Sequence, residues 1–174
     1  EIINVLNGND KILIEKIKEK IKINSSILNY EVALSFKNEL DQYNLGEKVI
    51  FHGKMEKSGV ISTMKDCDAF IFPTYTEGFP NVIMEAMACN LPIISTDVGA
   101  IPEMLNFDTE TPCGYKIEKE SSKSIAEAIN CFLENRSKFK TLAERAKNKV
   151  AEQYSAGVVI EKYIKMWEKG NLNK

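Results

Sequence analysis

The sequence has little of the chemistry that metal centres and disulfide-rich proteins need. It contains one histidine and four cysteines in 174 residues. The cysteines, at positions 67, 89, 113 and 131, show no CxxC or other metal-ligand spacing. Three of them fall inside predicted apolar elements. We therefore interpret them as small core residues of a protein from a reducing, cytoplasmic compartment, and we predict no metal site.

The sequence also lacks an excess of positive charge and a long apolar run. Its formal net charge is −2, and charged residues make up 28% of the chain. Because nucleic-acid-binding domains need a basic surface, this charge argues against a nucleic-acid partner. No segment approaches the about 18 consecutive apolar residues of a membrane-spanning helix. The basic helix faces at 11–22 and 138–149 are typical of solvated surfaces, with peripheral contact with the inner face of a membrane as the alternative interpretation.

What the sequence does contain is an alternation of short apolar runs and longer amphipathic segments. The pattern predicts strands at residues 1–7, 27–34, 48–51, 69–72, 91–95 and 114–117, and helices at 11–23, 36–43, 56–67, 81–89, 101–105, 124–133, 137–153 and 156–167. This order is typical of an α/β domain with a Rossmann-like parallel sheet, here of about six strands, and helices on both faces. Ligands of such folds bind at the carboxyl ends of the strands.

The most informative stretch is DAFIFPTYTEGFPNVIMEAMACNLPIISTDVGAIPE, residues 68–103. An apolar run is followed by a polar loop with one acid, Glu77, and then by the predicted helix 81–89. Pro80 is expected in the first turn of that helix, where a missing N–H is tolerated. Asn90 follows the last turn and is expected to adopt the left-handed conformation that ends many helices.

The start of the helix predicts a site for an anion. A helix N-terminus that emerges from a parallel sheet presents unpaired N–H groups and the positive end of its dipole, a combination that favours phosphate. Glu77 lies in the loop before the helix, and Glu85 about a turn and a half inside it. A diphosphate on the N–H groups would place both acids near the groups attached to its two ends. Carboxylates accept hydrogen bonds from sugar and ribose hydroxyls, so a nucleotide sugar fits this pattern.

The motif EGFPNVIMEAMAC, followed by ISTDVGAIPE, resembles retaining glycosyltransferases of the GT-B fold, in the glycosyl transferases group 1 family. The resemblance covers residues 25–168 and is closest over 48–103. It implies that residues 1–174 are the C-terminal, nucleotide-sugar-binding domain of a longer two-domain enzyme. The missing N-terminal domain would supply a glycan or lipid-linked acceptor, and the isolated domain would be inactive alone. The resemblance further implies sugar transfer with retention, without a cofactor or a metal.

The resemblance also implies roles for individual residues. Glu77 matches the first glutamate of the family motif, which contacts hydroxyls of the donor sugar, and is the catalytic candidate. Glu85 matches the second, which holds the ribose diol. Backbone N–H groups between them bind the diphosphate, and a loop at 52–55 frames the nucleobase. Gly99 and Glu103 match a downstream loop with a structural role. The donor-binding candidates are Gly53, Lys54, Met55, Gly78, Phe79, Pro80, Asn81, Val82 and Glu85.

Two departures from the family pattern bear on turnover. Family members carry an Arg and a Lys between the first strand and the first helix, which neutralise the departing diphosphate. This sequence has no Arg before Arg136. Lys11 is the nearest candidate, and the preferred register places Gly8 at the lysine position. The second departure is that residues 1–174 do not include the acceptor domain. The helix at 156–167 is expected to cross back to that domain.

Several other functions compete with this one. The missing Arg/Lys pair favours a non-catalytic module that holds a nucleotide sugar or a partner domain. A sugar-nucleotide epimerase shares the architecture, but its usual histidine and arginine pattern is not evident. A dinucleotide-binding dehydrogenase needs a Gly-rich turn that residues 6–10 do not supply. His52 could act as a general base, but we favour its being a loop residue near the nucleotide or simply exposed. Asp66 and Asp68 could bind a metal ion, but we favour their lying at a helix end and at a strand start.

Overall fold

The structure, a computed structural model, describes residues 40–50, 52 and 55–171. Residues 40–42 are helical and are followed by a 3₁₀ turn at Gly46–Lys48. The remaining elements are α1 (Lys57–Lys65), β1 (Phe70–Phe72), α2 (Asn81–Ala88), β2 (Ile93–Thr96), α3 (Ile101–Leu105), β3 (Tyr115–Ile117), α4 (Ser122–Glu134), α5 (Arg136–Lys149), a π-helical turn (Val150–Tyr154) and α6 (Ala156–Asn171).

The strands form a parallel sheet in the order β1-β2-β3, as the alternating pattern predicts. Phe70 pairs with Ile93, and Ile94 pairs with Tyr115. The central strand β2 is buried along its whole length. A strand that is buried on both faces has apolar residues at successive positions, and this explains why Ile93 and its neighbour Ile94 are both apolar.

The prediction of about six strands is only partly met: four of the predicted strands fall wholly or largely in the described residues, and one of these four does not form. Only three of the predicted strands form there. The predicted strand at 48–51 is absent over residues 48–50: Lys48 ends a 3₁₀ turn, and Val49 is extended but makes no ladder. Val49 packs instead on a small cluster of Leu40 and Leu45, and Ile50 is 58% exposed. The predicted strands at 1–7 and 27–34 and residue 51 lie outside the described residues.

Two hydrophobic cores cover the two faces of the sheet, which confirms the prediction of helices on both sides. Because successive strand residues point to opposite faces, Ile93 contributes to one core and Ile94 to the other. The first core is built with α2 and α3 and includes Ile83, Met87, Ile101, Met104 and Leu105. The second is built with α4 and α5 and includes Ile125, Ile129, Phe132, Phe139 and Leu142.

Helix α5 joins the two cores. Phe139 and Leu142 pack in the second core, whereas Ala146 near the C-terminal end of the helix packs in the first. The predicted helix at 137–153 is regular only to Lys149, after which the chain makes the π-helical turn. No helix within residues 40–50 and 55–171 is long and apolar enough to cross a bilayer.

Helix α6 carries an apolar stripe that is largely exposed to solvent within the described part of the chain. Its residues follow the i, i+3, i+4, i+7 spacing of one helix face. Their side chains range from half to three-quarters exposed: Ile160 57%, Tyr163 67%, Ile164 50% and Trp167 75%.

Candidate functional site

The candidate site lies at the carboxyl edge of the sheet. β1 ends at Phe72, and the loop 73–80 leads from there into α2. β2 ends at Thr96, and the loop 97–100 leads into α3. In a parallel sheet both loops emerge at the same edge, which is where α/β folds bind their ligands.

Helix α2 begins directly after the loop, at Asn81. Pro80 is its N-cap residue, with φ −74° and ψ 110°, one position earlier than the first turn predicted from the sequence. The Pro80 carbonyl accepts from the N–H of Ile83 at 3.1 Å. Helix geometry leaves the N–H groups of Asn81 and Val82 without an intrahelical acceptor. The first turn contains no acid, so nothing there neutralises the positive dipole end.

The residues of this turn differ in their access to solvent. Gly78, Phe79 and Asn81 are exposed, Val82 is half-buried and Pro80 is buried. Phe79 is 48% exposed, and its ring meets the ring of Tyr154 edge-on, with 5.7 Å between centroids. The turn therefore presents backbone and one aromatic face to solvent, while Pro80 anchors it to the body of the domain.

Glu77 is half-buried and is oriented by the loop that carries it. The hydroxyl of Thr74 lies 3.4 Å from Glu77 Oε1 and 3.4 Å from the carbonyl oxygen of Thr76. A single hydroxyl proton is thus shared between the loop backbone and the carboxylate. The Thr74 hydroxyl therefore lies between the loop backbone and the Glu77 carboxylate.

The loop after β2 contacts the backbone on both sides of the Glu77–Gly78 peptide bond. Gly99 has φ +57°, in the left-handed region. A Cβ at Gly99 would lie 2.0 Å from the Glu77 carbonyl oxygen. The N–H of Ala100 donates to the Gly78 carbonyl oxygen at 2.9 Å. Only glycine at position 99 lets the two loops approach this closely.

Two buried hydroxyls at the end of β2 also hold the loop that carries Glu77. Ser95 Oγ donates to the carbonyl oxygen of Phe72 at 2.9 Å. Thr96 Oγ1 donates to the carbonyl oxygen of Thr74 at 2.7 Å. Because β1 ends at Phe72, these bonds replace ladder bonds that the departing chain no longer makes.

Glu85 lies on α2, and its side chain is 22% exposed. Its Oε1 is 3.5 Å from Nζ of Lys57, the first residue of α1. Met55 lies just before α1 and is half-buried over Gly59. The ion pair between Lys57 and Glu85 thus connects α2 to the start of α1, two positions after Met55. Gly53 and Lys54 of that segment lie outside the described residues, as do Gly8 and Lys11, and His52 is half-buried.

Two further cations lie on the elements that support the site. Lys116 Nζ is 2.7 Å from Asp97 Oδ2, and this hydrogen bond lowers the pKa of the Asp97 carboxyl below its ordinary value. The side chain of Lys149, which is 7% exposed, donates to the carbonyl oxygen of Glu103 and to Asn106 Oδ1 at 2.5 Å. Lys149 therefore satisfies carbonyl and amide groups at the end of α3, and its burial lowers its own pKa.

Metal-ligating side chains do not gather in groups of three or more among residues 40–50, 52 and 55–171. Asp66 is the C-cap of α1, and Asp68, just before β1, lies 3.4 Å from Arg136. These positions match the helix end and strand start predicted for the two acids. The four cysteines form no disulfide with one another, and burial raises the thiol pKa of Cys67, Cys89 and Cys113.

Sequence reasoning missed the residues that position the two acids. The sequence pattern places Ser95 and Thr96 at the end of a strand but assigns them no role. Two hydroxyl side chains at the end of a buried strand do indicate hydrogen bonds to neighbouring backbone. Lys57 and Tyr154 carried no such signal, because their partners Glu85 and Phe79 are distant in sequence.

A family model supports the assignment of this motif. The model for glycosyl transferases group 1 matches residues 13–149. The capsular polysaccharide biosynthesis glycosyltransferase CapM of Staphylococcus aureus is 34% identical over 111 residues, 63% of this chain and 28% of that protein. The N-acetyl-alpha-D-glucosaminyl L-malate synthase of Bacillus anthracis is 30% identical over 121 residues, 69% of this chain and 30% of that protein. The chain thus spans less than a third of the length of these relatives.

Solved structures show the same fold. HepE of Anabaena in complex with UDP superposes with a TM-score of 0.73 at 19% identity, covering 91% of this chain and 44% of that chain. The C-terminal domain of the glycosyl transferase group 1 protein LpcC from Francisella tularensis gives a TM-score of 0.67 at 21% identity, covering 83% and 78% of the two chains. Taken with the match over residues 13–149, the chain belongs to the glycosyl transferases group 1 family, of GT-B type.

Proposed function

We propose that this chain is the donor-binding domain of a retaining glycosyltransferase. It would move a sugar from a nucleoside diphosphate to a glycan or lipid-linked acceptor. One observation supports this most directly: the start of α2, whose first turn carries no acid, lies along the chain between Glu77 in the preceding loop and Glu85 in the helix. Glu77 is held by Thr74 on one side, and Glu85 is paired with Lys57 on the other.

The proposed binding mode assigns each part of the donor to a group of the site. The diphosphate accepts hydrogen bonds from the N–H groups of Asn81 and Val82, and the helix dipole stabilises its charge. Glu77 accepts hydrogen bonds from hydroxyls of the donor sugar, and Glu85 from the ribose diol. Met55 and its neighbours border the nucleobase. The Phe79 ring, which is 48% exposed, packs edge-on against Tyr154 beside the turn.

The proposed chemistry rests on electrostatic stabilisation of the leaving group. As the bond from the anomeric carbon to the diphosphate breaks, negative charge grows on the phosphate oxygen. Backbone amides and a dipole that are already in place stabilise this charge without reorganisation, and such donors contribute roughly 3–4 kcal/mol each. Metal independence and retention remain parts of the proposal that follow from the family resemblance.

The name of one relative contains a lipid-linked acceptor. One relative, from Campylobacter jejuni, is named N,N'-diacetylbacillosaminyl-diphospho-undecaprenol alpha-1,3-N-acetylgalactosaminyltransferase, and this chain covers 29% of its length. We propose that a further domain, outside residues 1–174, supplies the acceptor for this chain. The exposed apolar stripe of α6 agrees with the expectation that this helix contacts that domain.

Calorimetric titration tests the proposal directly. The chain is titrated with UDP, GDP and ADP and with their hexose derivatives, and the best ligand is tested again on Glu85→Ala. We expect at least a tenfold loss of affinity, about 1.4 kcal/mol, because a ribose contact is removed. The matched control is Glu127→Ala, which removes an exposed helix acid from α4 and should leave affinity unchanged. If no nucleotide binds the wild-type chain, the proposal is wrong.

A second candidate is a module that binds a nucleotide sugar without turnover. The absence of any Arg before Arg136 favours it, because the usual basic pair at the departing diphosphate is missing. Both candidates expect the same binding. They differ in release of nucleoside diphosphate when the acceptor domain and acceptor are supplied: steady release supports the enzyme, and tight binding with no release supports the module.

A further inference from the structure

The end of the central strand carries two hydroxyl side chains that are almost completely buried. Ser95 is 0% exposed and Thr96 is 1% exposed. Both donate hydrogen bonds to backbone carbonyl oxygens at the end of the neighbouring strand β1 and just after it. Ser95 donates to Phe72, and Thr96 donates to Thr74. A buried hydroxyl must find a partner, and here the partners are the last residue of β1 and the second residue of the loop that carries Glu77.

A single residue, Thr74, links Thr96 to the carboxylate of Glu77. Thr96 Oγ1 donates to the carbonyl oxygen of Thr74 at 2.7 Å. The hydroxyl of the same Thr74 lies 3.4 Å from Glu77 Oε1. The position of the Thr74 backbone therefore determines where its hydroxyl can reach, and so which orientation of the Glu77 side chain is favoured.

The same segment also supports the loop from the other side. Gly99 and Ala100 follow Thr96 closely, and the Ala100 N–H donates to the Gly78 carbonyl oxygen at 2.9 Å. Residues 95–100 thus contact the loop at its beginning and at its end. These contacts restrain the backbone of the loop that carries Glu77.

We propose that Thr96 is a positioning residue for the donor-sugar end of the site. It fixes Thr74, and Thr74 fixes the carboxylate of Glu77. The inference rests on the proposed function, since it assumes that Glu77 contacts the sugar. It predicts that Thr96 affects recognition of the sugar and leaves recognition of the nucleotide unchanged, because Glu85 and the amides of α2 are not part of this chain of hydrogen bonds.

The test compares Thr96→Val with Thr96→Ser in the full chain. Valine has nearly the shape of threonine but no hydroxyl, and serine keeps the hydroxyl. Affinities are measured by calorimetry for UDP, GDP and ADP and for the matching nucleotide hexoses. We expect Thr96→Val to weaken binding of the best nucleotide sugar about five- to tenfold relative to the free nucleotide. Thr96→Ser should keep the wild-type ratio of the two affinities within about twofold.

A coupling measurement separates positioning from general support of the fold. If Thr96 acts through Glu77, Thr96→Val should have no further effect on sugar affinity in a Glu77→Gln background. Thr74→Val, which removes the hydroxyl that reaches Glu77, should reproduce the sugar-selective loss. It also provides the test if Thr96→Val does not fold, because Thr74 is only half-buried.

The outcomes distinguish this inference from the proposed function. Equal losses for nucleotide and nucleotide sugar in both threonine variants would show a structural role alone and overturn the inference. Nucleotide-sugar binding that depends on Glu85 but is indifferent to Thr96→Val and Thr74→Val would also overturn it, while leaving the proposed function intact. A wild-type chain that binds no nucleotide overturns both.

Discussion

Gly99→Ala tests most sharply how the loop that carries Glu77 is held. The position adopts φ +57°, which a side chain opposes. A Cβ there would lie 2.0 Å from the Glu77 carbonyl oxygen and 2.8 Å from the Gly78 carbonyl oxygen. Carbon and oxygen atoms that are not bonded approach to about 3.3 Å, so one of the two backbones must move by roughly 1 Å or more. Neither contact is with a flexible side chain that could rotate away.

The expected magnitude follows from two contributions. The left-handed conformation costs a residue with a Cβ about 1–2 kcal/mol. Moving the backbones apart removes the hydrogen bond from the Ala100 N–H to the Gly78 carbonyl oxygen, which contributes about 0.5–1.5 kcal/mol. The free energy of unfolding should therefore fall by roughly 1.5–3.5 kcal/mol. Binding of a nucleotide sugar should weaken as well, because Glu77 moves with the loop.

Urea denaturation measures the first effect and calorimetry the second. Gly78→Ala is the matched control, because a Cβ there meets nothing within 4 Å and its φ is not in the left-handed region. We expect the control to unfold at nearly the wild-type urea concentration. If Gly99→Ala also unfolds there and binds nucleotide sugar as the wild type does, the close approach of the two loops does not exist and the reasoning fails.

Three further predictions concern the surroundings of the site. Lys149→Met should lower the free energy of unfolding in urea by about 1–3 kcal/mol, because it leaves Asn106 Oδ1 and a carbonyl at the end of α3 without their buried donor. In an NMR titration, the Asp97 carboxyl should protonate below its ordinary pKa, and Lys116→Met should raise that midpoint. The stabilisation from this pair is therefore present at neutral pH and is lost as the pH falls through the lowered pKa. Trp167→Glu should change the free energy of unfolding by less than about 0.5 kcal/mol, because the side chain is 75% exposed; a large loss would show that α6 is packed in solution.

Elements with local start and stop signals were predicted closely. α3 was expected at residues 101–105 and is found at Ile101–Leu105. α2 begins at Asn81 as expected and ends at Ala88, one residue early. Asn90 has φ 59°, the left-handed conformation predicted for it. The signals involved are apolar periodicity and terminal residues, which act over a few positions of the chain.

The strand at 48–51 shows where local pattern fails. Its apolar residues have the composition of a buried strand, but a strand forms only when a neighbour accepts its hydrogen bonds. Within the described residues Val49 packs against Leu40 and Leu45 instead. The choice between a sheet and a local cluster depends on which partners are in reach, and composition carries no information about that.

By itself, the sequence determined the unit that is proposed to bind the donor: a strand, a loop with Glu77, and a helix with Glu85. The residues that define this unit are close in the chain, so periodicity and terminal signals suffice. Only the tertiary structure decided how the unit is held. Thr96 and Ser95 bond to residues 22 and 23 positions away, and Lys149 bonds 43 and 46 positions away. Such contacts form because packing of the two cores brings distant backbones together, which no short-range pattern encodes.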